Sequence, residues 1–268
     1  IVQVVIGTAP VHLIDKPEGA VNVPILCKDI SDCISKLGYS DNFEKYTLCQ
    51  SMYASFSLFG VGPVVFINVL DPSVHKTAVS AISLAVSSGS AKIDDEVILS
   101  TLVLKDGAEA LVNGTDYNAE YIEEGNVSIT FFKPVSNVTA EYDRINPSAV
   151  LESDIIGAVE SSTGKRTGLE LIKNIFPTLG VVPAIITAPG WSQNDTVGAI
   201  IAGKTSEING CYSAIAIFDL DSSSRGAVTI SQALAAKSER TLNKTCIACW
   251  PMIKKGDRKI YYSAVLSA

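Results

Sequence analysis

Apolar positions recur along this chain with two periods, and the change from one to the other divides it into three stretches. In residues 1–70, β-branched runs alternate with segments of helical spacing, the alternation expected of an α/β layer. Residues 1–6 form a β-branched run, broken by Gln3 and ending at Gly7, and 23–27 form a shorter one. A short helix with a glycine stop is predicted over 29–38. A second helix follows from Tyr46, Cys49, Met52, Tyr53, Phe56 and Phe59, which recur at helical spacing before Gly60. A buried strand is predicted over 63–70, whereas 71–90 fits either period.

From 91 to 145 the character changes to short β runs punctuated by the turn pairs Asp106-Gly107 and Asn113-Gly114 and by Glu124-Gly125-Asn126. Runs near 97–104, 117–122, 127–132 and 138–142 alternate as half-buried antiparallel strands do. The α/β alternation resumes at Asn146, with helices predicted over 151–159, 168–176 and 226–238 and strands over 183–187, 212–220, 246–250 and 260–266. Asp195 is placed to cap a further helix that runs to about Ile208 and stops at Asn209-Gly210. The expectation is an α/β fold, α+β overall. Its mixed-sheet domain is built from 1–90 plus 146–268, interrupted by a small inserted β-sandwich or barrel over 91–145.

Composition narrows the function classes. The 268 residues are 47% apolar and only 18% charged, with a formal charge of −7 and a mean hydropathy of +0.29. A soluble globular chain usually carries about a quarter charged residues. Either the core is large or much of the surface faces other protein. The most apolar stretch, 56–70, is broken by Ser57, Gly60, Gly62, Pro63 and Asn68, and is shorter than the ~18 residues a membrane helix needs. The acidic balance argues against a nucleic-acid partner, since phosphate neutralisation requires clustered cations. The nearest basic run, Lys254, Lys255, Arg258 and Lys259, is interrupted by Gly256-Asp257 and reads as a solvated turn. The first residues lack an initiating Met and a basic signal region, so the numbering reads as starting inside a longer chain. The abrupt end after an apolar run reads the same way.

Each chemical motif fails a requirement of its chemistry. Gly164-Lys165-Arg166-Thr167-Gly168 resembles a phosphate loop, but Arg166 separates the lysine from the hydroxyl and Gly157 is too distant. Ser192 follows a strand as a hydrolase nucleophile would, yet Asn194 replaces the second glycine and His12 and His75 both precede it. Cys246 and Cys249 have metal or redox spacing without a second ligand pair, and on a strand they point to opposite faces. With Cys27, Cys33, Cys49 and Cys211 they are expected to be buried free thiols. Asn113, Asn126, Asn137, Asn194 and Asn243 begin glycosylation sequons that would matter only in a secreted, disulfide-bonded adhesin. Asp219 and Asp221 close a strand as the paired carboxylates of haloacid dehalogenase phosphatases do. That pair carries the alternative reading, a Mg-dependent phosphatase, although too little chain follows for its remaining machinery. No catalytic, cofactor-binding or metal residue is assigned.

Several phrases, in order, resemble the contractile tail sheath proteins of myophages and related phage-tail-like particles. They run from Val5-Ile6-Gly7-Thr8-Ala9-Pro10 through Leu37-Gly38-Tyr39-Ser40 and Tyr46-Thr47-Leu48-Cys49 to Gly62-Pro63-Val64-Val65-Phe66-Ile67-Asn68-Val69-Leu70-Asp71-Pro72. Gly114-Thr115-Asp116-Tyr117, Thr163-Gly164-Lys165-Arg166-Thr167-Gly168 and Ala188-Pro189-Gly190-Trp191-Ser192 come next. Ala214-Ile215-Ala216-Ile217-Phe218-Asp219 and Trp250-Pro251 complete the series. The resemblance implies a structural, non-enzymatic subunit without cofactor, which stacks with copies of itself in helical rings around a tail tube protein. The array is assembled in the bacterial host cytoplasm, becomes part of the virion and contracts to drive the tube through the target envelope. It also implies a C-terminal domain and extended arms beyond these residues, and an insertion that projects outward.

Overall fold

The structure is a computed structural model that describes residues 2–240, 244–256 and 260–268. The chain begins with β1 (Val2–Gly7), β2 (Pro24–Cys27), α1 (Ile30–Leu37), α2 (Thr47–Met52) and β3 (Val64–Asn68). Seven strands follow: β4 (Lys76–Ser83), β5 (Ser90–Ile93), β6 (Val103–Asp106), β7 (Glu109–Leu111), β8 (Tyr117–Tyr121), β9 (Val127–Phe131) and β10 (Val138–Ile145). The remainder alternates: α3 (Glu152–Ile156), α4 (Ile172–Leu179), β11 (Pro183–Thr187), α5 (Asp195–Gly203), β12 (Ile215–Asp219), α6 (Ile230–Glu239) and β13 (Cys246–Cys249). A small hairpin of β14 (Ile253–Lys254) and β15 (Ile260–Tyr261) leads to α7 (Ser263–Ser267). This is the α/β class that the alternation predicted.

Two compact units result, one from Ile1–Pro10, Glu18–Leu70 and Val150–Ala268, the other from Val11–Pro17 and Asp71–Ala149. The first is built on a six-stranded sheet of order β13-β12-β11-β1-β3-β2, parallel except for β2. Every residue of β1 and β3 is buried. Inner strands of a parallel sheet are covered on both faces and therefore read as continuous apolar runs rather than alternating ones. Each Val, Ile or Phe so buried contributes roughly 1.5–3 kcal/mol. β2 begins with Pro24, which an edge strand tolerates because its outer N–H positions need no partner. α1 starts where the Asp29 side chain accepts the Asp32 N–H at 2.9 Å and buries Cys33 and Leu37 on one face. It stops at Gly38, whose φ of 73° puts it where a Cβ would run into the Pro10 carbonyl.

The second unit packs two antiparallel sheets, β4-β10-β6-β7 and β5-β9-β8, around one core that includes Ile93, Leu104, Tyr117, Ile129, Val138 and Tyr142. Besides Val11–Pro17 it takes in Asp71–Ala149 where 91–145 was expected, because β4 pairs antiparallel with β10 and so draws 71–90 into this unit. The sequence left that stretch undecided for a physical reason. β4 is an edge strand with six of its eight residues exposed, so neither face shows alternation. Residues 97–104 also differ from expectation, since the strand proper is Val103–Asp106 and a single helical turn precedes it. His12 lies edge-on to Tyr121, with ring centroids 6.2 Å apart, and burial pushes its pKa down to about 4.

Candidate functional site

In open parallel sheets, ligands bind outside the carboxyl ends of the strands, at the point where strand order reverses. Here the order reverses at β1, which lies between β3 and β11. Chain residues fill that crevice. The Thr8 N–H donates to Thr47 Oγ1 at 3.2 Å, and the Thr47 N–H donates to Thr8 Oγ1 at 3.1 Å, which seats the start of α2 on the end of β1. Gly7 has no side chain because any Cβ would collide with Thr47 Oγ1. On the other side Gly190, at φ 77°, leaves room for Thr47 and the Tyr262 ring.

Asn68, at the end of β3, ties three chain segments together and is fully buried. Its Oδ1 accepts the N–H groups of Ala9 at 2.9 Å and Leu70 at 3.0 Å. Its Nδ2 donates to the carbonyls of Leu70 at 2.9 Å and Ala20 at 3.3 Å. All four of the amide's hydrogen-bonding directions are used on backbone, so the side chain has nothing left to offer a ligand.

The carboxylate pair is separated by environment. Asp219 is 1% exposed, and its Oδ1 accepts the Ala264 N–H at 3.0 Å, capping α7. Burial raises its pKa to about 6, opposed by the N–H groups of Ala264 and Ser263 and by the Arg240 guanidinium. Asp221 turns to the following loop, accepting the Ser223 N–H at 2.8 Å, while Gly226 packs where a Cβ would meet the Asp221 backbone. Arg240 donates to the Ser192 and Gln193 carbonyls and pairs with Asp195 at 2.9 Å, across an open polar cleft of about 510 Å³. Among the described residues no three His, Cys, Asp or Glu side chains are grouped to hold one metal ion. The phosphatase reading is therefore not supported, and each aspartate has a structural task.

The other motifs resolve similarly. Ser192 is buried and its Oγ accepts the Asp219 N–H at 3.2 Å, which binds β11's exit loop to β12. Both histidines belong to the β unit. Asn194, not Asp195, caps α5, with Oδ1 accepting from Thr196 and Val197. That helix ends at Gly203 rather than Ile208. Gly168 is a packing glycine, since its φ of 53° presses it against the Asp154 and Ile155 carbonyls. Lys165 and Thr167 sit around a turn that the Val159–Arg166 bridge closes. None of the six cysteines is in a disulfide; Cys27, Cys33 and Cys49 are buried as expected, but Cys211 is exposed and Cys246 and Cys249 are half-buried. β13 lies at the edge of the sheet, which leaves its thiols only partly covered. The Asn243 sequon and Asp257, Arg258 and Lys259 lie outside the described residues.

The large apolar residues left in solvent are a second candidate for function. α6 buries only Ala233, while Ile230 and Leu234 on successive turns are 70% and 60% exposed, with Val228 beside them. A helix crossing between two parallel strands ordinarily buries a stripe of apolar residues. This one instead leaves its largest side chains in solvent.

No family model matches the chain. It is 30% identical to the tail sheath protein of Burkholderia phage BcepMu, in an alignment covering 94% of this chain and 51% of the relative. The chain thus spans about half the length of the curated relative it matches, and the match bears out the resemblance to the tail sheath family that the sequence phrases carry.

Proposed function

We propose that this chain is part of a structural subunit of a phage tail sheath. It assembles helically with copies of itself around a tail tube, and its contraction drives the tube through the target envelope. The observation that carries this reading is the match to a tail sheath protein along nearly the whole chain. Two features are consistent with it. The crevice at the carboxyl edge of the sheet is occupied by the chain's own Thr47 and Tyr262, and α6 exposes apolar side chains to solvent.

A helical array is built from heterologous contacts that do not close, so each subunit needs at least two different complementary surfaces. The work of contraction then comes from the difference in free energy between two packings, without nucleotide hydrolysis. The subunit is assembled in the bacterial host cytoplasm and resides in the virion tail. A gene deletion tests this: the expected particles carry bare tail tubes, and complementation restores the sheath. Fully sheathed tails in the deletion strain would overturn the proposal.

A further inference from the structure

Two features of the α/β unit are not explained by its own fold. The first is the outer side of α6. Ile230, Leu234 and Lys237 lie at i, i+4 and i+7, so they share one helix face, and all three are exposed. Ala233 is the one residue of the helix that is buried. Lys237 has no side-chain hydrogen bond or ion pair among the described residues. The second feature is a groove of about 610 Å³ between α3, the start of α4 and the C-terminal half of α5. Ile156, Ile172, Ile200 and Ile208 form its apolar walls. At its rim Lys204 and Glu170 pair at 2.5 Å, whereas Lys173 and Glu207 are exposed and have no side-chain partner among the described residues.

We propose that α6 of one subunit docks in the α3–α4–α5 groove of the next, with Lys237 against Glu207. The proposal rests on the reading of the chain as a sheath subunit and names surfaces that such a subunit needs. An apolar groove commonly takes a helix whose anchors are spaced i, i+4 and i+7. Here Ile230 and Leu234 cover the isoleucine walls, and the cation of the stripe meets the unpaired acid of the rim. Charge also selects among seatings, because any that sets Lys237 beside Lys173 opposes like charges.

The distribution of charge favours a second copy as the occupant. The α/β unit carries 15 basic and 15 acidic residues, and the β unit 6 and 13, so the whole formal charge of −7 lies on the β unit. Two α/β units therefore approach without net repulsion, whereas two β units do not. α6 and the groove share no residue, so one copy offers both at once. The contact is heterologous: each added copy presents a free helix on one side and a free groove on the other, as an open helical array requires.

Complementation of a strain deleted for the gene tests the contact, scored as the fraction of tails that carry a sheath in electron micrographs. Lys237→Glu and Glu207→Lys should each lower that fraction at least ~10-fold, since each sets like charges together at every contact of the array. The double variant pairs opposite charges again and should return the fraction to within about 2-fold of the unaltered gene. That recovery excludes misfolding as the cause of either loss. Ala199→Trp fills the groove from an exposed position of α5 and should also abolish sheaths. Full sheaths from the single variants or from Ala199→Trp, or no recovery in the double variant, would overturn the contact and leave the sheath reading standing. If the unaltered gene restores no sheath, the sheath reading falls and the contact with it.

Discussion

Replacing Asp219 with Asn should make the stability of the α/β unit much less dependent on pH. The carboxyl group has a pKa of about 6 in the folded chain against an ordinary 3.8, with burial the largest cause. The unfolded chain therefore ionises first as pH rises. Below about 3.8 both states are protonated and the group contributes nothing; between 3.8 and 6 folding becomes progressively less favourable; above 6 the penalty is constant. A displacement of about two units at ~1.4 kcal/mol each makes that penalty about 3 kcal/mol. Only 1% of the residue is exposed, so solvent does not screen it away. Asn keeps an acceptor for the Ala264 N–H and carries no charge to bury. Trp191 and Trp250 both lie in the α/β unit, so urea unfolding followed by tryptophan fluorescence reports that unit alone. Between pH 4 and pH 7 the variant should gain about 2.4 kcal/mol relative to the parent chain, since part of the penalty is already present at pH 4. Parallel curves for the two proteins, offset by a constant, would refute the reasoning.

Three further outcomes are expected. Asn68→Ala strips partners from two buried N–H groups and two buried carbonyls. At about 1 kcal/mol per hydrogen bond it should cost about 4 kcal/mol in urea unfolding, and a loss below about 1 kcal/mol would show that those groups find other partners. The His12 imidazole should titrate near pH 4 by NMR, so the β unit loses stability as pH falls from 6.5 towards 4; a midpoint near 6.5 would contradict its burial. Replacing Ile230 and Leu234 together by Ser should change the stability of the isolated chain by less than about 1 kcal/mol, since both are mostly exposed, yet reduce sheath assembly seen by electron microscopy. Undiminished assembly would remove α6 from the intersubunit contacts.

The sheet was legible where burial on both faces forces a nearly continuous β-branched run, as in β1 and β3 apart from Gln3 and Asn68, and where a glycine or a polar cap marks a helix end, as at Asp29 and Gly38. Pattern reading failed where side chains from distant segments set the local structure. Residues 260–266 have the composition of a strand, but the Asp219 carboxylate stands ready to cap a helix at Ser263, and the strand stops after two residues. β4 escaped detection because an edge strand of small residues has no buried face to show. At the carboxyl edge, Asp219, Asp221 and Ser192 drew attention as reactive types, and their roles in capping and loop closure emerge only from their partners. Arg240 gave no signal of its own, nor did the buried Gln50, whose amide donates to the Ile260 carbonyl and accepts the Tyr262 N–H. Asn68 did, as a polar residue closing an otherwise apolar strand, a position that pays only if every hydrogen bond is met.

The central claim is that this chain forms part of the contractile sheath of a phage tail. Immunogold electron microscopy of intact particles, with antibodies raised against these 268 residues, tests it most directly. The account predicts label along the full length of extended tails, and in contracted particles label confined to the shortened, widened sheath with the protruding tube bare. Label on the tube, on the head or on the baseplate alone would contradict it.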